Sequence, residues 1–309
     1  MNDLTGPAET TGAGPGPVAF CDRLRADLAD LEALAGELLA ASEIEYMGAR
    51  NRSGYVVIVA PDWEFAASTD EVRRIQMKLV PRFDRWFELF SFLFADAPPE
   101  LRSKIDETHS QIREWFTRDA SLWGLPSDLD RARELQHSRF ETLAGFLDIL
   151  PTDARPPLVV PDTSALVDAW VFADYPRLVG IARLDIALAP AVLSELDGLK
   201  DQGKHQLIRD KARAAGTAIK ELRQKGRLLD GVPVTDAVVV FSRPVEPDFT
   251  RLPRHLDPSV PDDRLLGAAL ELQRDRPRGI VVLLTGDVNL QTKAELVDLP
   301  FIELPVAAV

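Results

Sequence analysis

Cysteine is almost missing from this chain of 309 residues, and Cys21 is the only one. A lone thiol excludes an internal disulfide and leaves no material for a Cys-based zinc site. It fits a reducing compartment, and a cytoplasmic location is expected. Histidine is nearly as scarce: His109, His137, His205 and His255 are scattered without ligand spacing, so a zinc centre is not expected. Long hydrophobic runs are lacking too. No stretch reaches the roughly 18 uncharged apolar residues of a membrane span, and even Ala165 to Ile181 carries Asp168, Asp174 and Arg177. The first twenty residues show no cationic start followed by an apolar core, so they do not read as a secretory signal. Positive charge is in deficit, with 36 Lys and Arg against 49 Asp and Glu and a net charge of −13. That balance argues against broad affinity for nucleic acid, which runs on Lys and Arg.

Within that acidic chain one segment is basic. Between Lys200 and Arg227 the cations Lys200, Lys204, Arg209, Lys211, Arg213, Lys220, Arg223, Lys225 and Arg227 face only Asp201, Asp210 and Glu221. Hydrophobic residues at 46% and charged residues at 28% describe a soluble globular protein long enough for two domains.

Residues 1–18, rich in Gly, Pro and Thr, are expected to be disordered. Residues 19–150 read as a mostly helical domain. Leu24, Leu28, Leu31, Leu34 and Leu38 mark one helix, and Glu100 to Trp115 and Leu129 to Leu150 mark two more. A hairpin is expected over Glu43 to Ala60, with Tyr55 to Val59 as a strand. Ser68 and Glu71 form a capping box for a long helix that Pro81 kinks or interrupts. The aromatic spacing Phe83, Trp86, Phe87, Phe90, Phe94 reads as helix core. The prolines in 151–157 mark a linker, and from 158 to 309 the pattern turns to alternating strands and helices. Strands are expected near 158–163, 185–190, 235–242, 279–286 and 300–304, with helices near 165–180, 191–200, 205–225, 263–275 and 289–297. Such alternation predicts an α/β fold: a three-layer α/β/α domain on a mainly parallel sheet.

Four acids stand out by position. Asp162 ends the strand Leu158-Val159-Val160-Pro161, and Asp287 ends Gly279 to Leu284 through Thr285-Gly286. Glu195 lies one turn into the helix after the second strand, and Asp263 opens another helix. All four fall on the strand-end side of the sheet, where such folds bind ligands. Two carboxylates about 4 Å apart repel by roughly 4 kcal/mol at an effective dielectric near 20. A cluster of them therefore takes up protons or holds cations, and oxygen donors select Mg²⁺ or Mn²⁺. Each acid also has a plainer reading. Asp162 serves as a turn residue, Asp287 and Asp262 or Asp263 as helix caps, and Glu195 as an exposed helical side chain.

Four pieces resemble the PIN domain, a metal-dependent ribonuclease fold found in many toxins of toxin–antitoxin pairs and in RNA-processing enzymes. They are Val160-Pro161-Asp162-Thr163-Ser164-Ala165-Leu166, Val192 to Lys200, Asp263 to Ala269, and Leu284-Thr285-Gly286-Asp287-Val288-Asn289-Leu290. The stretch Glu195-Leu196-Asp197-Gly198-Leu199-Lys200 is similar to the larger stand-alone members of the family more than to the short toxins. The resemblance covers 157–305. It implies hydrolysis of an RNA phosphodiester by water that Mg²⁺ or Mn²⁺ activates. Asp162, Asp263 and Asp287 would hold metal, with Glu195 orienting metal or water. It also implies a hydrogen bond from Thr163 or Ser164 within the pocket, and RNA guided by Lys200, Lys204, Arg209, Lys211 and Arg213. Many members carry a further aspartate two residues after the fourth acid, where this chain has Asn289. Members of the family often pair, so a homo-oligomer is an expectation, and residues 19–150 are a surface available to a protein partner.

The alternative from another class is a catalytically idle PIN-like module that binds RNA or protein. A phosphatase of the dehalogenase type would need a second Asp two residues after Asp162, and Ser164 stands there. A receiver domain would need paired acids after its first strand, and none occur.

Overall fold

The structure, a computed structural model, describes residues 17–46, 63–118, 124–202 and 205–304. The first half is helical: α1 (Phe20–Ala40), α2 (Asp70–Leu93), α3 (Pro99–Thr117) and α4 (Leu129–Asp148). Two short strands, β1 (Ile44–Tyr46) and β2 (Trp63–Phe65), pair antiparallel with Ile44 opposite Phe65. The strand expected at Tyr55 to Val59 lies outside the described residues, as does most of the N-terminal segment expected to be disordered. The α2 cap sits one residue later than the capping box implies: the Thr69 hydroxyl, not that of Ser68, accepts from the Val72 amide at 3.2 Å. Ser68 Oγ instead lies 3.4 Å from an Arg118 guanidinium nitrogen. Pro81 does not interrupt the helix. Its ring is on the exposed side, and Met77, whose carbonyl loses its partner, is among the most exposed apolar residues, so water can satisfy that carbonyl. Phe83, Trp86, Phe90 and Phe94 are buried together with Leu24, Leu31 and Phe140 in one apolar core. Cys21 is a free, buried thiol whose pKa burial pushes up to about 11.

The second half is α/β with a mostly parallel sheet. Its strands are β3 (Leu158–Pro161), β4 (Leu184–Leu188), β5 (Val232–Thr235), β6 (Val238–Ser242), β7 (Val281–Leu284) and β8 (Phe301–Ile302). They lie in the order β5-β6-β4-β3-β7-β8, and every pairing is parallel except that of β5 with β6. Its helices are α5 (Thr163–Asp168), α6 (Tyr175–Val179), α7 (Pro190–Gln202), α8 (Gln206–Lys225), α9 (Pro261–Asp275) and α10 (Val288–Leu296). β3 and β7 are buried at every position, as an inner parallel strand covered on both faces must be.

Two elements differ from the sequence reading. The helix expected over 165–180 is broken into α5, a 3-10 turn at Phe172–Asp174 and α6. The chain leaves α5 at Ala169 (φ −128°, ψ 59°). Pro176, which has no N–H for a continuing helix, stands in the first turn of a new one, where its missing donor costs nothing. The strand expected over 235–242 is a hairpin, with β5 added before it. Pro233 hides β5 in the sequence, yet an edge strand tolerates it.

His109 in α3 stacks on Phe87 with ring centroids 3.6 Å apart and on Phe83 at 5.1 Å. Its Nε2 is buried without a hydrogen-bond partner. Burial holds its pKa below the ordinary 6.5 against the opposing charge of Asp84. As pH falls below about 6.5 the unfolded chain therefore takes up a proton that the fold resists, and stability drops. Thermal melting of wild type and His109→Phe at neutral and mildly acid pH should show wild type losing ground to the variant in acid. An unchanged gap would mean that His109 charges freely in the fold.

Candidate active site

The chain runs from β3 outward through β4 to β6, then returns across the sheet to place β7 on the other side of β3. That reversal makes the carboxyl ends of β3 and β7 the switch point of the sheet, where α/β folds open a crevice. Asp162 follows β3 and Asp287 follows β7. Asp162 is buried, and its amide donates to the Leu284 carbonyl at 2.9 Å. One carboxylate oxygen accepts from the Ala165 amide at 2.6 Å and the Ser164 hydroxyl at 2.8 Å. The other accepts from the Thr285 hydroxyl. Thr285 Oγ1 in turn accepts from the Asp287 amide at 3.0 Å, so one buried hydroxyl ties the two aspartates together. Asp287 is exposed and accepts from the Asn289 amide at 2.8 Å and the Leu290 amide at 3.4 Å. Both aspartates thus cap helices, α5 and α10, at the carboxyl ends of β3 and β7.

The other two acids reach the same edge through neighbours. Glu195, exposed on α7, accepts from the Thr163 hydroxyl at 2.7 Å. Asp263, buried on α9, does not cap that helix, whose N-cap is Val260 with no side-chain hydrogen bond. It accepts from the Asp257 amide at 2.9 Å and from the Lys293 ammonium at 2.8 Å, and Asp262 lies 3.4 Å from the same ammonium. Burial works to lower the Lys293 pKa. The hydrogen bonds and charges of Asp263 and Asp262 outweigh it and leave the pKa raised.

These donors suit Mg²⁺ or Mn²⁺ in kind, since every one is a carboxylate oxygen, and Lys293 shows that Asp263 attracts a cation. They do not form a ready-made cage. Among the described residues, no three metal-ligating side chains come close enough to hold one ion. Hydroxyl, amide and ammonium donors of the chain engage Asp162, Asp263 and Asp287 instead.

Sequence reasoning missed three members of this neighbourhood. Thr285 and Lys293 meet their partners only across the fold, at Asp162 and Asp263. Tyr175 is fully buried with an unpartnered hydroxyl, and burial and then the negative charge of Asp162 push its pKa up. Of the basic segment, Lys204 lies outside the described residues. Lys200 pairs with Asp197 and lies across α8 where Gly216 leaves room. Lys211 pairs with Asp168 at 2.7 Å, Arg213 with Asp210 at 3.3 Å, and Arg209 donates to Gln206 at 2.6 Å.

A mostly parallel sheet with helices between its strands and aspartates after its two central strands defines an α/β domain. Residues 159–304 match the family model of the PIN domain. The match spans all four acidic motifs, so the resemblance read from them is borne out for the C-terminal half. A comparison with curated proteins gives no match. Among the described residues, no helix is long and apolar enough to cross a membrane.

Replacing Lys293 by Met leaves Asp263 uncompensated. Because Lys293 is about a third exposed, a loss of about 1 kcal/mol is expected in the absence of divalent ions, at the low end for an unpaired charged acceptor. If cations compete for Asp263, Mn²⁺ should raise the melting temperature of Lys293→Met by more than that of wild type. Equal increments would show that Lys293 and the ion do not share this carboxylate.

Proposed function

We propose that the C-terminal half is a ribonuclease that uses Mg²⁺ or Mn²⁺ to hydrolyse an RNA phosphodiester. The observation that carries this reading is Asp162, a buried carboxylate at the sheet's switch point, joined to Asp287 through one hydroxyl. Asp162, Asp263 and Asp287 are the residues that would hold the ion, with Asp262 and Asn289 beside them. Bound there, the ion would supply positive charge against the phosphate and lower the pKa of the attacking water. Glu195, exposed and steadied by Thr163, orients that water and accepts its proton. The water oxygen forms the new bond to phosphorus, the P–O ester bond breaks, and the departing oxygen takes a proton from solvent. Ser164 and the Ala165 amide hold one oxygen of the Asp162 carboxylate in a fixed orientation. Lys200, Lys204, Arg209, Lys211 and Arg213 are assigned to the RNA backbone. Exposed ion pairs contribute little to stability, so phosphate can replace Asp168 or Asp210 as their partner.

Asp162→Asn keeps an oxygen to accept from Ser164 and Ala165, so the α5 cap and the fold should survive while the charge is lost. Cleavage of RNA in the presence of Mn²⁺ should fall by at least about 100-fold, more than loss of a supporting group costs a metal site. Undiminished cleavage by this variant would refute the reading.

The second reading is an idle module that binds RNA without turnover. It is favoured by the Lys293 ammonium on Asp263 and by the lack of a ready three-carboxylate group among the described residues. It predicts RNA binding by wild type and Asp162→Asn alike, with no cleavage by either.

A further inference from the structure

Beside the crevice lies a cavity of about 660 Å³ that the acidic chemistry does not use. Its size is that of a small-molecule cleft. Two of its lining residues, Ser164 and Gly286, are the immediate neighbours of the site: Ser164 donates to Asp162, and Gly286 precedes Asp287. A Cβ built on Gly286 would meet nothing within 4 Å, so the cavity is open at that residue. Trp170 lines it too, in the loop that breaks the expected helix after α5. Trp170 is 38% exposed and the adjoining Val171 41%. Indoles are usually well buried, and this one is partly exposed in a cavity wall that also holds Asp168 and Asp174. Arg177 and Lys211 line it as well, together with Asp168 and Asp174 in the same wall.

We infer that this cavity is a nucleobase subsite: it takes one unpaired base of single-stranded RNA, stacked on the Trp170 indole, beside the bond to be cut. The inference rests on the ribonuclease reading for the position of that bond. Every base has a π-face, so an aromatic platform is indifferent to sequence but demands that the base leave a duplex. Arg177 and Lys211 supply charge for the flanking phosphates, with Lys211 exchanging Asp168 for phosphate. The subsite therefore selects strandedness rather than sequence.

The test measures binding in a cleavage-deficient Asp162→Asn background with Mg²⁺, comparing that protein with its Trp170→Ala and Trp170→Phe derivatives. The ligands are a labelled short oligoadenylate and a blunt-ended RNA duplex. Trp170→Ala should weaken the oligoadenylate by about tenfold or more, while Trp170→Phe stays close to the parent and duplex binding is unchanged. Oligoadenylate should also quench tryptophan emission in the parent, and that quenching should vanish in Trp170→Phe. The inference is overturned if Trp170→Ala binds oligoadenylate as the parent does, if Trp170→Phe is as weak as Trp170→Ala, if both ligands weaken equally, or if the parent binds no single strand. Cleavage by wild type is scored separately. Its absence removes the ribonuclease reading, while the stacking result alone decides the fate of the subsite.

Discussion

The Thr285 hydroxyl donates to the carboxylate that ends one central strand and accepts from the amide of the aspartate that follows the next. That single buried group depends on β3 and β7 lying side by side in parallel register, with Pro161 opposite Leu284. Pro161 has no N–H of its own to give. The ladder continues one residue later, where the Asp162 amide reaches the Leu284 carbonyl. A shift of one residue would turn Asp162 and its cap away from the crevice. The arrangement of the other acids follows from this seam: Thr163, next to Asp162, holds Glu195, and Lys293, on the helix that Asp287 caps, holds Asp263.

Electrostatics explains why an acidic site can persist in a chain with a net charge of −13. Each buried carboxylate is met by donors. Asp162 has two hydroxyls and an amide, and Asp263 has an amide and an ammonium. The exposed ones, Asp287 and Glu195, are left to water on one side. Capping and function are not rivals at Asp162 and Asp287. At Asp162 one carboxylate oxygen satisfies the helix start while the other accepts from Thr285, at Asp287 a single oxygen accepts from both amides, and a helix N-terminus favours negative charge in any case.

The helical half is fastened to the α/β half mainly by arginines. Arg23 donates to the Asp298 carboxylate at 2.9 Å, and Arg85 donates to the Leu296 carbonyl at 2.6 Å. Arg278 reaches the Leu147 and Asp148 carbonyls at 3.0 Å. Phe92 of α2 packs in the α/β core under the guanidinium of Arg274. Two of these contacts, those of Arg23 and Arg85, lie at the C-terminal end of α10, on the far side of that helix from Asp287.

Much of this protein was written in local pattern. Buried runs bounded by turn residues mark β3, β4 and β7, helical periodicity marks α1, α3, α4, α8 and α9, and strand-end aspartates point to the ligand edge, because these signals depend on residues close in sequence. Where a neighbour in space rather than in sequence decided, reading failed. The expected helix ended at Ala169, well before Pro176, and Pro233 concealed an edge strand that only the position of β6 makes possible. Thr285 and Lys293 gained their partners only when β3 met β7 and α9 met α10. From the sequence alone came the fold class, the family resemblance and the four acids. The tertiary structure alone decided which donors those acids meet, because hydrogen bonds between residues 123 positions apart, as in Asp162 and Thr285, leave no trace in spacing.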